Sequence, residues 1–275
     1  MKPAPFDYIR AETEDEVLAA LHAHGADARI IAGGQTLVAM LSMRLARPAV
    51  LIDIMRIPTL ARIADERDAL VFQAAVRQQA ALDDPRLARE VPLLAAALPW
   101  VGHYQTRARG TICGSVAHAD PSAEIPLCLV ALRGEIHLRA RRGHRRVPAE
   151  TFFTGMMVTD RRDDEFISSV SLPKRRAGTG HAFAEFGRRH GDFAIVACAA
   201  VVDAGSMRLA VAGVADRPAA RDLPILDGAA LDGALNQFAW DLEAGDDVHA
   251  TARYRRDLVR KLGRQVLEEA AACRA

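Results

Sequence analysis

Residues 29–40 read Arg29-Ile30-Ile31-Ala32-Gly33-Gly34-Gln35-Thr36-Leu37-Val38-Ala39-Met40. The β-branched pair Ile30-Ile31 ends at a small residue and two glycines. A polar pair follows, then an apolar run with Leu37, Met40 and Leu41 facing one way. This pattern predicts a strand, a tight turn and the start of a helix. Glycines at such a turn can take a positive φ, and they leave neighbouring N–H groups open to approach. Converging N–H groups beside a helix start hold an anion such as a diphosphate. By itself the stretch fits an ordinary tight turn more readily. The rest of the chain decides between the two.

Just upstream, Thr13-Glu14-Asp15-Glu16 has the spacing of a capping box, and Val17, Leu18 and Leu21 give one apolar face before Gly25. Downstream, Val50-Leu51-Ile52-Asp53-Ile54 reads as a second buried strand after Pro48. Strand, helix and strand in this order predict a small α/β unit. Ile63 and Leu70-Val71-Phe72 predict a hairpin turning at Asp65 to Asp68. Pro85 and Pro92 open two helical pieces that end near Trp100. From Val101 to Pro126 the periodicity fails, and the segment reads as long and irregular. Ala123 to Leu132 overlaps its end as a helix, and Glu135 to Leu138 follows as a strand. Arg139, Arg141, Arg142, Arg145 and Arg146 surround Gly143, which fits a solvated hairpin tip or a contact with an acidic partner. Phe152-Phe153 and Phe166-Ile167 lead to Leu172-Pro173, and Lys174 to Gly180 reads as a linker. Beyond it, Ala182 to Phe186, Ala194 to Val202 and Met207 to Val214 predict antiparallel strands. Val248 to Ala272 predicts a closing helix.

Composition excludes several classes. At 275 residues the chain can hold two domains. A net charge of +1 lacks the basic excess of a nucleic-acid binder. There is neither an apolar run of about 18 residues nor a basic-then-apolar leader, so the expectation is a cytoplasmic protein with no membrane span. Cys113, Cys128, Cys198 and Cys273 form no CxxC pair, so the chain has no sequence-local metal or iron–sulfur motif. His103 and His118 lack any paired-ligand spacing, and no metal is expected.

A second glycine stretch, Arg109-Gly110-Thr111-Ile112-Cys113-Gly114-Ser115, is followed by Val-Ala-His-Ala-Asp-Pro-Ser-Ala-Glu124. Gly110 and Gly114 again permit close backbone approach, and Thr111 and Ser115 carry hydroxyls. Two such turns suit a long ligand with a central diphosphate and polar ends.

These two stretches, together with Phe186-Gly-Arg-Arg-His-Gly-Asp-Phe193, resemble the FAD-binding medium subunit of the molybdenum hydroxylases, the carbon monoxide dehydrogenase and xanthine dehydrogenase family. The resemblance covers nearly the whole chain, with the three motifs in order. It implies an α+β fold: a PCMH-type FAD-binding domain over 1–175, made of α/β subdomains at about 1–56 and 57–175, then a smaller C-terminal domain of antiparallel sheet and helices over 176–275. By motif position it implies that Arg29, Ile30, Ile31, Ala32, Gly33, Gly34, Gln35 and Thr36 wrap the diphosphate. A side chain at Gly33 would then occupy the diphosphate approach. Thr111, Ile112, Cys113, Gly114 and Ser115 would approach from the other side. Val101 and Ile167 would lie near the cofactor, and Glu124 would accept from its hydroxyls, as suits a carboxylate. Glu185 falls near a further contact position, and Phe193 would cover the flavin ring. Arg188 and Arg189 would lie near the flavin. No residue of this chain need act as a general acid or base.

The same resemblance implies partners: a small subunit with [2Fe–2S] clusters, a large subunit with the molybdenum cofactor, and a dimer of such heterotrimers. Electrons would pass from the clusters to FAD and then to an external acceptor. One departure stands out. The family usually carries glycine where this chain has Cys113, which leaves open a strained, a reactive or a merely packed cysteine. A free-standing flavoenzyme, or a scaffold subunit with a vestigial site, are the other readings of the same residues.

Overall fold

The computed structural model describes residues 2–274. Strand β1 (Asp7–Arg10) leads into helix α1 (Glu14–His24). The Thr13 hydroxyl accepts from the Glu16 N–H at 3.2 Å, and the Glu16 carboxylate accepts from the Glu12 N–H at 2.8 Å. Two otherwise orphaned donors are thereby met. Gly25 ends the helix at φ +50°. Strand β2 (Ala28–Ile31), helix α2 (Leu37–Ser42) and strand β3 (Val50–Asp53) follow. β3 lies between β1 and β2 and is parallel to both, so the first unit is the expected α/β unit. Val17, Leu21 and Ile52 form its core with Ala74, Ala75 and Phe166 from the next unit.

The second unit opens with the predicted hairpin, β4 (Ile63–Asp65) and β5 (Ala69–Gln73), and continues in helix α3 (Gln78–Leu82). Helices α4 (Pro85–Glu90) and α5 (Pro92–Ala97) each begin at a proline, whose missing N–H costs nothing there. Residues 101–126 are not the irregular segment their composition suggests. They hold helices α6 (Tyr104–Arg107) and α7 (Ile112–His118), joined by short turns to α8 (Glu124–Ala131). Glycine, alanine and serine blur the apolar spacing of α7, while a Thr111 cap fixes its start. Strands β6 (Glu135–Ala140) and β7 (Gly143–Pro148), helix α9 (Ala149–Phe152), strands β8 (Phe153–Gly155) and β9 (Val158–Thr159), and the long β10 (Phe166–Pro173) complete the unit. Its five-stranded sheet runs β4-β5-β10-β6-β7, with antiparallel pairing. Three of the five arginines at the basic hairpin are paired within the chain: Arg139 with Glu14, Arg145 with Glu165 at 2.7 Å and Arg146 with Glu135 at 3.9 Å.

After the linker, β11 (Gly180–Phe186), β12 (Val196–Val202), β13 (Ser206–Ala212) and β14 (Ala219–Pro224) form an antiparallel sheet in chain order. Helix α10 (Gly228–Asp241), which the sequence reading did not foresee, and α11 (Ala252–Ala272) pack on one of its faces. The other face carries Phe183, Ala197, Ala199, Ala210 and Ala212, and it packs on α5 and α8 of the preceding unit. Small residues on the sheet let a helix lie close against it. Arg208 of β13, 6% exposed, fastens this seam. It meets both oxygens of Asp222 at 2.9 and 2.8 Å, the Val130 carbonyl at 3.1 Å and the carboxylate of Glu150. Its Nε alone finds no partner. Among the described residues no helix is long and apolar enough to cross a membrane, and no group of three His, Cys, Asp or Glu could hold a metal ion.

Candidate functional site

Strand β2 delivers the chain into Ala32-Gly33-Gly34-Gln35-Thr36, with Gly34 at φ +72°. Valine N–H at position 38 donates to the Gly34 carbonyl at 3.0 Å, which starts α2. Among the described residues, the N–H groups of Gly33, Gly34, Gln35 and Thr36 meet no acceptor. A cluster of free N–H donors at the end of a strand is what an anion needs. Helix α2 has only six residues, so the turn itself carries more of that role than the helix dipole. Arg29 sits on β2, and its guanidinium donates to the Ala26 and Ala28 carbonyls at 3.1 and 3.0 Å. Its side chain is therefore committed to its own turn, while Ile30 and Ile31 are half-buried in the strand.

The two glycine stretches touch. A Cβ on Gly33 would overlap the Arg109 carbonyl oxygen and lie 2.7 Å from the Gly110 Cα. Gly33 is thus required because the second loop presses on it, a different reason from the open diphosphate approach expected above. That second loop is itself pinned. Gln78 N–H donates to the Gly110 carbonyl at 2.8 Å, and Ile112 N–H donates to the Val76 carbonyl at 3.0 Å. Thr111 caps α7, its hydroxyl accepting from the Gly114 N–H at 3.0 Å. A side chain at Gly114 would run into that hydroxyl, at 2.6 Å. Ile112 is fully buried, so only its backbone can face a ligand, and Ser115 is half-buried in the helix.

Cys113 lies within α7 and is not among the residues of positive φ, so replacing glycine there introduces no left-handed strain. It is 3% exposed, and its Sγ lies 3.5 Å from the Phe72 carbonyl. Burial pushes its thiol well above the ordinary range. It is a packed side chain, and a reactive or cofactor-linked role has no support. Cys128 and Cys198 are buried as well, whereas Cys273 is exposed. Alkylation of the native protein, read by peptide mass spectrometry, is expected to modify Cys273 and spare the other three. Labelling of Cys113 before unfolding would contradict this placement.

Helix α8 brings Glu124 to the same region. Glu124 as a whole is 5% exposed. Its own backbone N–H is its one donor among the described residues. Burial pushes it up to about 7. Glu185 on β11 has Oε2 out of solvent without any partner, and burial followed by repulsion from Glu124 pushes it up to about 8. Carboxylates with one donor or none are costly here unless a ligand supplies hydroxyls or a proton stays bound. Val101 and Ile167 are buried members of the adjoining core.

The stretch from Phe186 to Phe193 folds back onto the turn after Trp100. The Trp100 and His190 rings lie 5.1 Å apart. Gly191, at φ +87°, rests so close to His103 that a Cβ would meet its Cε1 at 2.6 Å. This contact leaves Phe193 63% exposed beside Ser122 and Met156, where it lines an open cavity of about 780 Å³. Arg188 borders the same cavity and donates to the Val248 carbonyl at 3.1 Å, while Arg189 is exposed on the turn. Two participants escaped the sequence reading. Gln78 is buried against the second loop with Oε1 unpartnered, and Arg255 pins the cavity floor through the Ile195 carbonyl at 2.7 Å. A lone glutamine and an arginine within a charged helix carry no local signal.

Free N–H groups suit a diphosphate, buried carboxylates suit ribityl or ribose hydroxyls, and an exposed aromatic suits a flavin ring. The fold and this donor set define an FAD-binding protein. The family described as FAD binding domain in molybdopterin dehydrogenase matches residues 4–175, and the CO dehydrogenase flavoprotein C-terminal domain matches residues 181–270. The chain is 34% identical to the alpha subunit of the 6-hydroxypseudooxynicotine dehydrogenase complex of Paenarthrobacter nicotinovorans, over 98% of this chain and 96% of that one. It is 36% identical to the nicotine 6-hydroxylase medium subunit of the same organism, over 90% of each. The structure of carbon monoxide dehydrogenase from Hydrogenophaga pseudoflava superposes with a TM-score of 0.94 at 31% identity, covering 100% of both chains. The chain belongs to the family of FAD-binding medium subunits of the molybdenum hydroxylases, and it is an oxidoreductase subunit.

Proposed function

We propose that this chain takes electrons from iron–sulfur clusters of a small partner subunit and passes them to an external acceptor, within a cytoplasmic complex that also holds a molybdenum-binding large subunit. The assembly would be a dimer of heterotrimers. Bound FAD would supply the exchange of electrons between one-electron and two-electron carriers. The observation that carries the reading is the run of free N–H groups from Gly33 to Thr36, at a turn held against a second glycine loop 76 residues further on by the Gly33–Arg109 contact. The domain division proposed is 1–175 and 176–275, with subdomains at about 1–56 and 57–175.

In this reading the chain's residues do the holding. The N–H groups from Gly33 to Thr36 take the diphosphate, and the backbone of Thr111 to Ser115 closes on it from the other loop. Ala32 lets the strand end without a bulky side chain over the turn. Glu124 and Glu185 receive hydroxyls, Phe193 screens the ring, and Val101 and Ile167 form the apolar bed. Relatives are named for nicotine, caffeine and carbon monoxide, which fits substrate choice residing on another subunit. Purification from the source cell tests the reading. A yellow complex containing molybdenum and iron–sulfur subunits supports it. A colourless chain that takes up no FAD on titration refutes it, and turnover by the isolated monomer would favour a free-standing flavoenzyme.

A further inference from the structure

We propose that Arg255 is the positioning residue for Phe193. Its guanidinium clamps the chain just beyond Phe193, so that the ring stays at the cavity and shields a bound flavin from dissolved dioxygen. The proposal rests on the FAD reading above and adds the device that aims the covering ring.

Phe193 is 63% exposed, so packing of its own ring does not hold it in place. Its position comes from the backbone on either side. The loop that carries it leaves β11 and returns into β12. Both arms of this loop are tied to the start of α11 and to the segment before that helix. On the outgoing arm, Phe186 packs edge-on against Tyr254 with ring centroids 6.0 Å apart, and Arg188 donates to the Val248 carbonyl at 3.1 Å. On the returning arm, the Ile195 N–H donates to the Phe186 carbonyl at 2.8 Å. The Ile195 carbonyl accepts from Arg255 at 2.7 Å. Ile195 is thus gripped through both of its backbone groups, two residues beyond Phe193.

Arg255 directs its other donors to the same wall. It donates to the Gly213 carbonyl and, at 2.5 Å, to Oδ2 of Asp247. Gly213, at φ +79°, presses on the returning arm: a Cβ there would meet the Ile195 and Ala194 carbonyl oxygens at 2.8 and 2.9 Å. Its N–H donates to the Pro121 carbonyl at 2.8 Å, so the clamp reaches the preceding unit shortly before Glu124. Asp247 is fixed in turn, its Oδ1 accepting from the His249 and Ala250 N–H groups at 2.8 and 2.9 Å.

Stability of α11 does not account for this residue. Arg255 is the fourth residue of the helix, at the end where the dipole disfavours a cation. It is 6% exposed, and burying a guanidinium is costly unless acceptors surround it. Those acceptors are two carbonyls and one carboxylate, and all three belong to residues that line the cavity with Phe193. Charged donors fix such carbonyls more firmly than neutral ones do.

The test has two readouts. The first is amide hydrogen exchange of the FAD-free chain. In R255M the Ile195 amide is expected to exchange about tenfold faster than in the wild type, with the amides of β6 unchanged. The second uses the chain loaded with FAD, freed of excess by gel filtration, photoreduced without air and mixed with oxygenated buffer. Dihydroflavin then passes two electrons and two protons to dioxygen, giving oxidised flavin and hydrogen peroxide. F193A and R255M are each expected to reoxidise about fivefold faster or more, R255K to fall between R255M and the wild type, and F193A/R255M to be no faster than F193A alone. Effects that multiply in the double variant overturn the proposal. So does an unchanged Ile195 amide in R255M, or F193A reoxidising at the wild-type rate. Should R255M fail to fold, D247N decides: faster Ile195 exchange, and faster reoxidation only where Phe193 is present, support the clamp, and wild-type behaviour in either overturns it. A wild type that takes up no FAD overturns the cofactor reading, and the shielding role with it.

Discussion

Gly33→Val is expected to give a folded chain that retains no flavin. The valine Cβ would overlap the Arg109 carbonyl, which is backbone and cannot rotate aside. The two loops must then part. Overpacking of this kind costs about 1–3 kcal/mol of stability, which a chain of this size survives. The cofactor loses more. Hydrogen bonds from N–H groups to a charged oxygen contribute about 1.5–3 kcal/mol each. Misplacing two of them weakens FAD by about a hundredfold or more. Flavin absorbance after gel filtration, beside a circular dichroism spectrum, separates loss of cofactor from loss of fold. A variant that stays folded and fully yellow would show that the loop contact does not build the site. Gly34→Ala offers a milder comparison, because strain at φ +72° acts within one turn and leaves the second loop in place.

The second large effect concerns the apoprotein. A free glutamate titrates near 4.5, whereas burial pushes Glu124 to about 7 in the folded chain. Between those values the folded state binds more protons than the unfolded one, so stability falls as pH rises through that window and levels off above it. At 1.36 kcal/mol for each pKa unit, the penalty at pH 8 is roughly 3 kcal/mol. Glu124→Gln removes the charge and keeps the shape. Urea denaturation of FAD-free protein at pH 5 and pH 8 is expected to show a larger loss for the wild type than for the variant, whose remaining loss comes from Glu185, pushed up to about 8 chiefly by burial. The variant should also bind FAD more weakly, since a carboxylate acceptor is gone. Equal pH dependence in both proteins would mean that Glu124 is ionised and solvated in the free chain.

Much of this architecture is legible in the residues. Capping at Thr13, prolines at the starts of α4 and α5, and the apolar runs of β12 and β13 are local chemical signals, and local elements follow from them. Helix α7 was hidden because glycine, alanine and serine carry no apolar stripe, whereas α10 did carry a signal, with Leu231, Leu235, Phe238 and Ala239 at i, i+4, i+7 and i+8. The glycine turns announced where the backbone could be approached. They did not announce that Gly33 would be approached by Arg109, because a contact across 76 residues leaves no trace in either stretch. The Cys113 question had the same limit. Only its helical backbone and its burial beside Phe72 show why cysteine is tolerated. Gln78 and Arg255 act through position alone, so residue type gave no warning.

Helix α8 has a consequence for how the chain can be divided. All eight of its residues are buried, although a helix of one unit would ordinarily show a polar side to water. Its outer side is covered by the alanine face of the C-terminal sheet. A fragment ending at the linker would present the sheet-facing side of α8 to solvent, with Arg208 and Asp222 gone and Glu150 left without its partner. The two units are thus mutually chaperoning. Each is the other's missing half-core, and the chain should melt in one step even though its family profiles treat it as two modules.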